Sequence, residues 1–205
     1  VAPSKAPRRE PTRATVDPFL TARAYLERRQ CDKLARHVET LVRRAVDDEG
    51  RAQAQVLAAE CYVRTGKKRQ AMQIFDGVGR RYGSVASGAP ALFEAGKLMA
   101  ELGMPKEALA TFERYLELHP RGELASAASF RRCGLLIGME RLGDARTCLL
   151  GLRQSFPSDH RVSEATLLLA SIARVQRDWP TCAERYAEYL RATDAPRAEE
   201  ATYYR

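Results

Sequence analysis

The sequence predicts an all-α solenoid of about five stacked helix pairs followed by a final helix, and three observations predict it. Small residues return every 37 positions, at Ala71, Ala108, Ala145 and Cys182, and again at Ala59, Gly96, Cys133 and Ala170. A bulky residue follows each of the first set by four, at Phe75, Phe112, Leu149 and Tyr186. Each segment then stops twelve residues after the small one, at Gly83, Pro120, Pro157 and Asp194, with Pro196 just beyond. A fixed period of this size marks a repeat array, in which each unit buries its apolar face only against its neighbours.

Each unit reads as two helices. In the segment 89–120, Leu92, Ala95, Gly96, Met99 and Leu102 recur at helical spacing and form one stripe. Gly103 ends that helix, and Pro105 opens the next at its first turn, where a missing N–H costs nothing. Ala108, Phe112, Tyr115 and Leu116 form the second stripe, and Pro120 closes it. Gly96 and Ala108 are expected where the two antiparallel helices cross closest, with Phe112 filling the gap one turn away. Val, Ile and Thr never alternate for long, so no sheet is expected.

These residues resemble the tetratricopeptide (TPR) repeat. Counted from Ala89, the small residues of that family fall on Gly96 and Ala108, its aromatic on Phe112 and its proline on Pro120. Leu92 stands where the family has a large aromatic. The resemblance covers about 50–193 and is clearest in the third repeat. It weakens at Arg132-Cys133, and at Trp179-Pro180, where a helix should start. It implies a right-handed superhelical solenoid. The period is three residues longer than the usual 34 of the family, through segments such as 82–84 and 156–158. That longer link resembles TPR proteins of the Gram-negative envelope: the barrel-assembly lipoprotein, the periplasmic protein of the Tol–Pal system, and the repeats attached to FecR-type regulators.

The ends read differently. Residues 1–16 hold Pro3, Pro7 and Pro11 with Lys5, Arg8, Arg9 and Arg13, and read as a basic linker ahead of a solenoid domain spanning 17–205. Asp17-Pro18 is a good helix start. Leu34, Val38, Leu41 and Val42 suit a first helix pair, but its register fits the period only with one residue gained or lost. At the other end, 200–204 echoes 164–168, so a last short helix is expected from about Pro196. Val1 in place of a methionine suggests that an upstream part has been removed, leaving room for a membrane tether there.

Composition narrows the function classes. The chain has 205 residues, 45% of them hydrophobic, and a formal net charge of +8. No apolar run is long enough to span a bilayer. His37, His119 and His160 have no cysteine or carboxylate partner at metal spacing, and no nucleophile or phosphate-loop motif is present, so neither a metal, a cofactor nor catalysis is expected. The cluster Gly77, Gly79 and Gly83 reads as a loosened helix end. The basic clusters Arg43-Arg44, Lys67-Lys68-Arg69 and Arg80-Arg81 alternate with acids and carry no aromatic platform, which argues against nucleic acid.

Of the five cysteines, Cys133 and Cys182 take positions that are Gly or Ala elsewhere, and read as small buried side chains. Cys31 and Cys61 fall at helix ends that approach each other in an antiparallel stack, which makes them a candidate disulfide suited to an oxidising periplasm. The TPR resemblance implies binding of a peptide or helix on a concave face lined by the first helix of each repeat. The period brings Val56, Phe93, Phe130 and Leu167 to one phase of that face, with Lys97, Ile137 and Arg174 one or two turns on. The clamp that captures acidic C-termini uses two asparagines, and this chain has none. The function expected is a protein-interaction scaffold or regulator of the bacterial envelope. The alternatives are a cytosolic TPR adaptor in signalling or secretion, or an accessory domain of an enzyme whose catalytic part lies elsewhere.

Overall fold

The computed structural model describes residues 17–191. The basic segment 1–16 and the final helix expected near Pro196 lie outside them. The described residues form ten helices and no strand: α1 (Leu20–Glu27), α2 (Cys31–Arg44), α3 (Asp48–Arg64), α4 (Lys68–Tyr82), α5 (Gly88–Glu101), α6 (Pro105–Leu118), α7 (Ala125–Gly138), α8 (Leu142–Ser155), α9 (Arg161–Val175) and α10 (Trp179–Arg191). Each packs against the next in sequence. The odd helices also touch one another in order, α1 to α3, α3 to α5, α5 to α7 and α7 to α9. Helices that approach in this way lie on the inside of the bend, so the odd row forms the concave side.

The period is strict at one place in every unit. Odd helices end at Glu27, Arg64, Glu101, Gly138 and Val175, and even helices begin at Cys31, Lys68, Pro105, Leu142 and Trp179. Both series step by 37. The first repeat therefore sits in register with no residue gained or lost. It escapes detection because Leu34 stands where later units have Ala71, Ala108 and Ala145.

The cause of this regularity is one turn built five times. Arg29, Gly66, Gly103, Glu140 and Arg177 all have φ between 54° and 76°, the left-handed region. In each unit the N–H of that residue bonds back three residues and the next N–H bonds back five, as in Gly103 to Ala100 and Met104 to Met99. This is the Schellman arrangement, which satisfies the orphan carbonyls of a helix end. Only two of the five positions hold glycine, which enters that region at no steric cost. Pro180 lies in the first turn of α10, so Trp179-Pro180 starts that helix as a normal unit does.

Packing across each unit follows a size rule. Ala108 and Phe112 are fully buried, and a Cβ placed on Gly96 would meet the Phe112 ring at 3.0 Å. The group over Gly96 is thus the ring itself rather than Ala108. In the fourth unit Leu149 replaces the phenylalanine, and Cys133 takes the glycine's place with no exposed surface. Tyr186 lies in one cluster with Ala170, and Phe75 in one with Ala59. Gly77 and Gly79 lie inside α4, not at a frayed end. Gly79 is small because a Cβ there would strike Leu92 at 2.6 Å.

Loops lock each unit to the next. The Glu49 carboxylate accepts the Ser87 N–H at 3.0 Å, tying α3 to the start of α5. Arg114 donates to the Arg80 carbonyl at 3.0 Å. His119, the C-cap residue of α6, sits half-buried against Tyr115 with Nε2 hydrogen-bonded to the Gly83 carbonyl of the preceding link, so its ring joins repeats.

Replacing Gly103 by Ala should cost about 1 kcal/mol of left-handed strain, whereas Glu140→Gly should gain a few tenths to about 1 kcal/mol. Urea melts of the two variants check this, and similar midpoints would remove the turn as the register-setting element. Ala108→Leu should destabilise by roughly 1–3 kcal/mol through overpacking in the same melts.

Candidate functional site

On the concave side the helix periodicity gives each odd helix an inward stripe of small residues, flanked by larger ones that lie half open. Val56, Phe93, Phe130 and Ile137 are all half-buried. Phe93 packs edge-on to Phe112 at 5.7 Å and to Tyr115 at 6.4 Å. Phe130 and Ile137 lean on the core around Leu149 and Leu169. Val56 rests on the cluster around Phe75. Each of these rings and chains shows one edge to solvent and roots the rest in the core. Leu167 differs: at 3% exposure it belongs wholly to the core of the last pair, beneath Tyr186 and Tyr189, and presents no surface. The apolar phase therefore runs through the second, third and fourth units and is closed off in the fifth.

The same three successive odd helices, α3, α5 and α7, also carry charged residues that influence one another. Lys97 pairs with Glu94 at 2.7 Å on α5. Burial lifts the Glu60 carboxyl above the usual carboxylate range; Arg64 opposes this and Glu94 adds to it. Glu101 is held low by its hydrogen bond from Lys68, with help from Lys97 and Arg131. Glu60 of α3 thus feels Arg64 and, from α5, Glu94, while Glu101 of α5 feels Lys97 and, from α7, Arg131. Arg64 also reaches Glu27 of α1 at 3.3 Å, and Lys68 of α4 reaches Glu101 at 2.8 Å. Lys97 is paired with Glu94, while Phe93 packs on Phe112 and Tyr115 and Phe130 on the cluster around Leu149; Glu60, Glu94 and Arg131 are further charged residues of the same three helices. A single phase of the repeat cannot reveal those three, because they come from different phases of adjacent helices. Arg174, on the same side at α9, is half-buried near the Cys182 thiol, whose pKa burial raises and Arg174 lowers in part.

The cysteines form two pairs. Cys31 and Cys61 are disulfide-linked with Cα atoms 5.5 Å apart, which ties α2 of the first repeat to α3 of the second. Cys133 and Cys148 are linked across the same Cα distance of 5.5 Å, joining α7 to α8. Cys133 is therefore more than a small spacer; the smaller Leu149 leaves space for its side chain. Cys182 is the remaining thiol and is buried. Both separations lie within the range a disulfide spans without backbone movement.

Two further grooves were not legible in the repeat pattern. One, of about 510 Å³ on the even-helix side, is lined by Met72, Met99 and Met104 with charged rims. The other, about 640 Å³, lies where α1, α2 and α3 meet. Among the described residues there is no cluster of three or more His, Cys, Asp or Glu able to hold a metal ion. No described helix is long and apolar enough to cross a membrane.

Residues 53–84 and 90–121 each match the tetratricopeptide repeat family model. These two segments resemble the tetratricopeptide repeat. The match falls on the second and third units, where Phe75 and Phe112 keep the aromatic of the motif. No curated protein matches the chain. Among solved structures, YrrB, described as a TPR protein with an unusual peptide-binding site, is 18% identical over 91% of this chain and 89% of its own, with a TM-score of 0.63. MamA from Desulfovibrio magneticus RS-1 is 15% identical over 91% of this chain and 99% of its own, with a TM-score of 0.63. BtubC from P. vanneervenii is 12% identical over 85% of this chain and 77% of its own, with a TM-score of 0.64. Identities this low establish the shared fold.

Because the fold disfavours the ionised Glu60, that cost is present above its raised pKa and vanishes as the pH falls below the ordinary carboxylate range. Glu60→Gln should therefore raise the melting temperature at pH 7, and the gain should shrink on acidification. An unchanged or lower value at neutral pH would show that burial at this site is not what lifts the carboxyl.

Proposed function

We propose that the chain is a protein-interaction scaffold that receives a partner segment on the concave side of α3, α5 and α7. The observation carrying this reading is that α3, α5 and α7 together carry the charged Glu60, Glu94, Lys97 and Arg131 and the half-buried Val56, Phe93, Phe130 and Ile137. Apolar edges anchored in the core present area at little cost in side-chain entropy, while a mixed-charge band sets register and speeds encounter. YrrB, which shares the fold, has an unusual peptide-binding site, and that supports peptide recognition here.

The rings are poor test positions, since Phe93 is also a core contact; Phe93→Ala should lower stability by up to about 3 kcal/mol. The charges separate binding from folding. Lys97→Glu with Arg131→Glu should abolish capture of the partner from a lysate of the source organism, with the melting temperature nearly unchanged. Undiminished capture by this folded variant would place the partner on the even-helix side.

We further propose that the scaffold works in an oxidising compartment such as the periplasm, as part of the cell envelope. The two disulfides support this, because paired cysteines persist outside the reducing cytosol. Protein taken from its native compartment, denatured without reductant, should show one reactive thiol, that of Cys182. Five reactive thiols would instead support the cytosolic adaptor.

A further inference from the structure

The described helices meet at two edges. Odd helices end and even helices begin at one of them, which the chain crosses at 27–33, 64–70, 101–107, 138–144 and 175–181. Both ends of the described chain join the array at the opposite edge, where α1 starts and α10 stops. Charge along the turn edge is uneven. The first turn carries Arg28, Arg29 and Lys33 against Glu27 and Asp32. The second carries Arg64, Lys67, Lys68 and Arg69 against no acid. The remaining three turns reverse the balance, with three cations against five acids.

Most of this positive charge is unpaired. Arg64 reaches Glu27 at 3.3 Å, and Lys68 reaches Glu101 of the third turn at 2.8 Å. Arg28, Arg29, Lys33, Lys67 and Arg69 are exposed and make no ion pair among the described residues. Lys67 only lies over the Tyr62 ring, 5.5 Å from its centre. The two turns are also fixed side by side. The Cys31–Cys61 link joins their helices, and the Thr65 hydroxyl lies 3.6 Å from the Cys31 sulfur. Like charges held this close repel one another and cost stability. The fold does not need them, because Gly103, Glu140 and Arg177 make the same left-handed turn amid an excess of acids.

The shape of the patch defines what fits. Every residue of 63–70 is exposed, and the depression beside them, of about 410 Å³, is lined by 66–70 and Leu102. A ligand gripped at fixed points needs a cleft; long cations spread over an open edge suit a broad sheet of negative charge. We propose that the first two turns seat the array, edge-on, on an anionic membrane surface. Lipid phosphates pair there with the five free cations, each worth about fivefold in affinity near a charged leaflet. Val63, 41% exposed at the end of α3, adds an aliphatic contact. An array standing on this edge keeps its concave side clear of the membrane, and the proposal does not depend on what binds there.

The probe is a vesicle of phosphatidylglycerol and phosphatidylcholine in equal parts, with pure phosphatidylcholine as its neutral twin. In co-sedimentation the whole chain should bind the anionic vesicle, and added salt should release it. Arg28→Gln, Lys67→Gln and Arg69→Gln together should weaken binding roughly a hundredfold, and each alone about fivefold. Lys106→Gln, Arg141→Gln and Arg177→Gln lower the net charge equally but lie on the other three turns, and should change binding far less. All six positions are exposed, and circular dichroism checks folding. The proposal is overturned by equal loss in the two triple variants, which would reduce the effect to bulk charge, or by no preference for the anionic vesicle. Full binding by the first triple variant overturns it too, and would assign the contact to residues 1–16. Tighter binding of a polyglutamate peptide than of the vesicle would make the patch a protein-docking surface, and equally overturns it.

Discussion

One small residue at each helix crossing is the constraint on which the array depends. Two helices can stack closely only if the side chains between them are not both large, and a solenoid has no central core to absorb a mismatch. Gly96 beneath Phe112 meets this demand with no room to spare. The other units solve it with different pairs: Ala59 with Phe75, Cys133 with Leu149, Ala170 with Tyr186. The sum of sizes is roughly conserved while the identities change, and this lets units of divergent sequence keep a common spacing.

A second constraint acts along the chain rather than across it. The left-handed turn recurs at one register position in all five units, although three of the five residues there are not glycine. Arg29, Glu140 and Arg177 accept strain that glycine avoids, and the gain is a turn that always returns the chain at the same angle. The links leading back from even to odd helices vary more in length and are held instead by side-chain contacts such as Glu49 with Ser87 and His119 with the Gly83 carbonyl. Fixed turns on one edge and adjustable ties on the other allow the array to curve without loss of register.

The fold was legible in the sequence because the constraints that produce it are periodic. Small residues, bulky residues and stops all return together, and a pattern of that kind survives substitution at single positions. The first repeat was less legible for a physical reason: Leu34 fills its crossing where a small residue stands in later units, while the turn that fixes its register carries arginine. The concave face was legible in part. Phase within the unit singled out Phe93, Phe130 and Ile137, which the fold leaves half-buried, but burial of Leu167 depends on the large tyrosines of α10, and the charge pairing depends on contacts between neighbouring helices. The Cys133–Cys148 pair was hidden for a similar reason. Its two residues take unlike positions in the unit, and only packing around Leu149 brings them together.

The Cys31–Cys61 link has a consequence when the array bears load. A solenoid pulled at its ends comes apart unit by unit, starting at whichever end interface is weakest. Here the interface between the first and second units is covalent, whereas that between the fourth and fifth rests on packing and on ion pairs such as Arg153 with Glu188. Under load the fourth and fifth units part before the first and second do, so force is carried across a clamped interface near one end of the described helices and relieved at a softer one near the other.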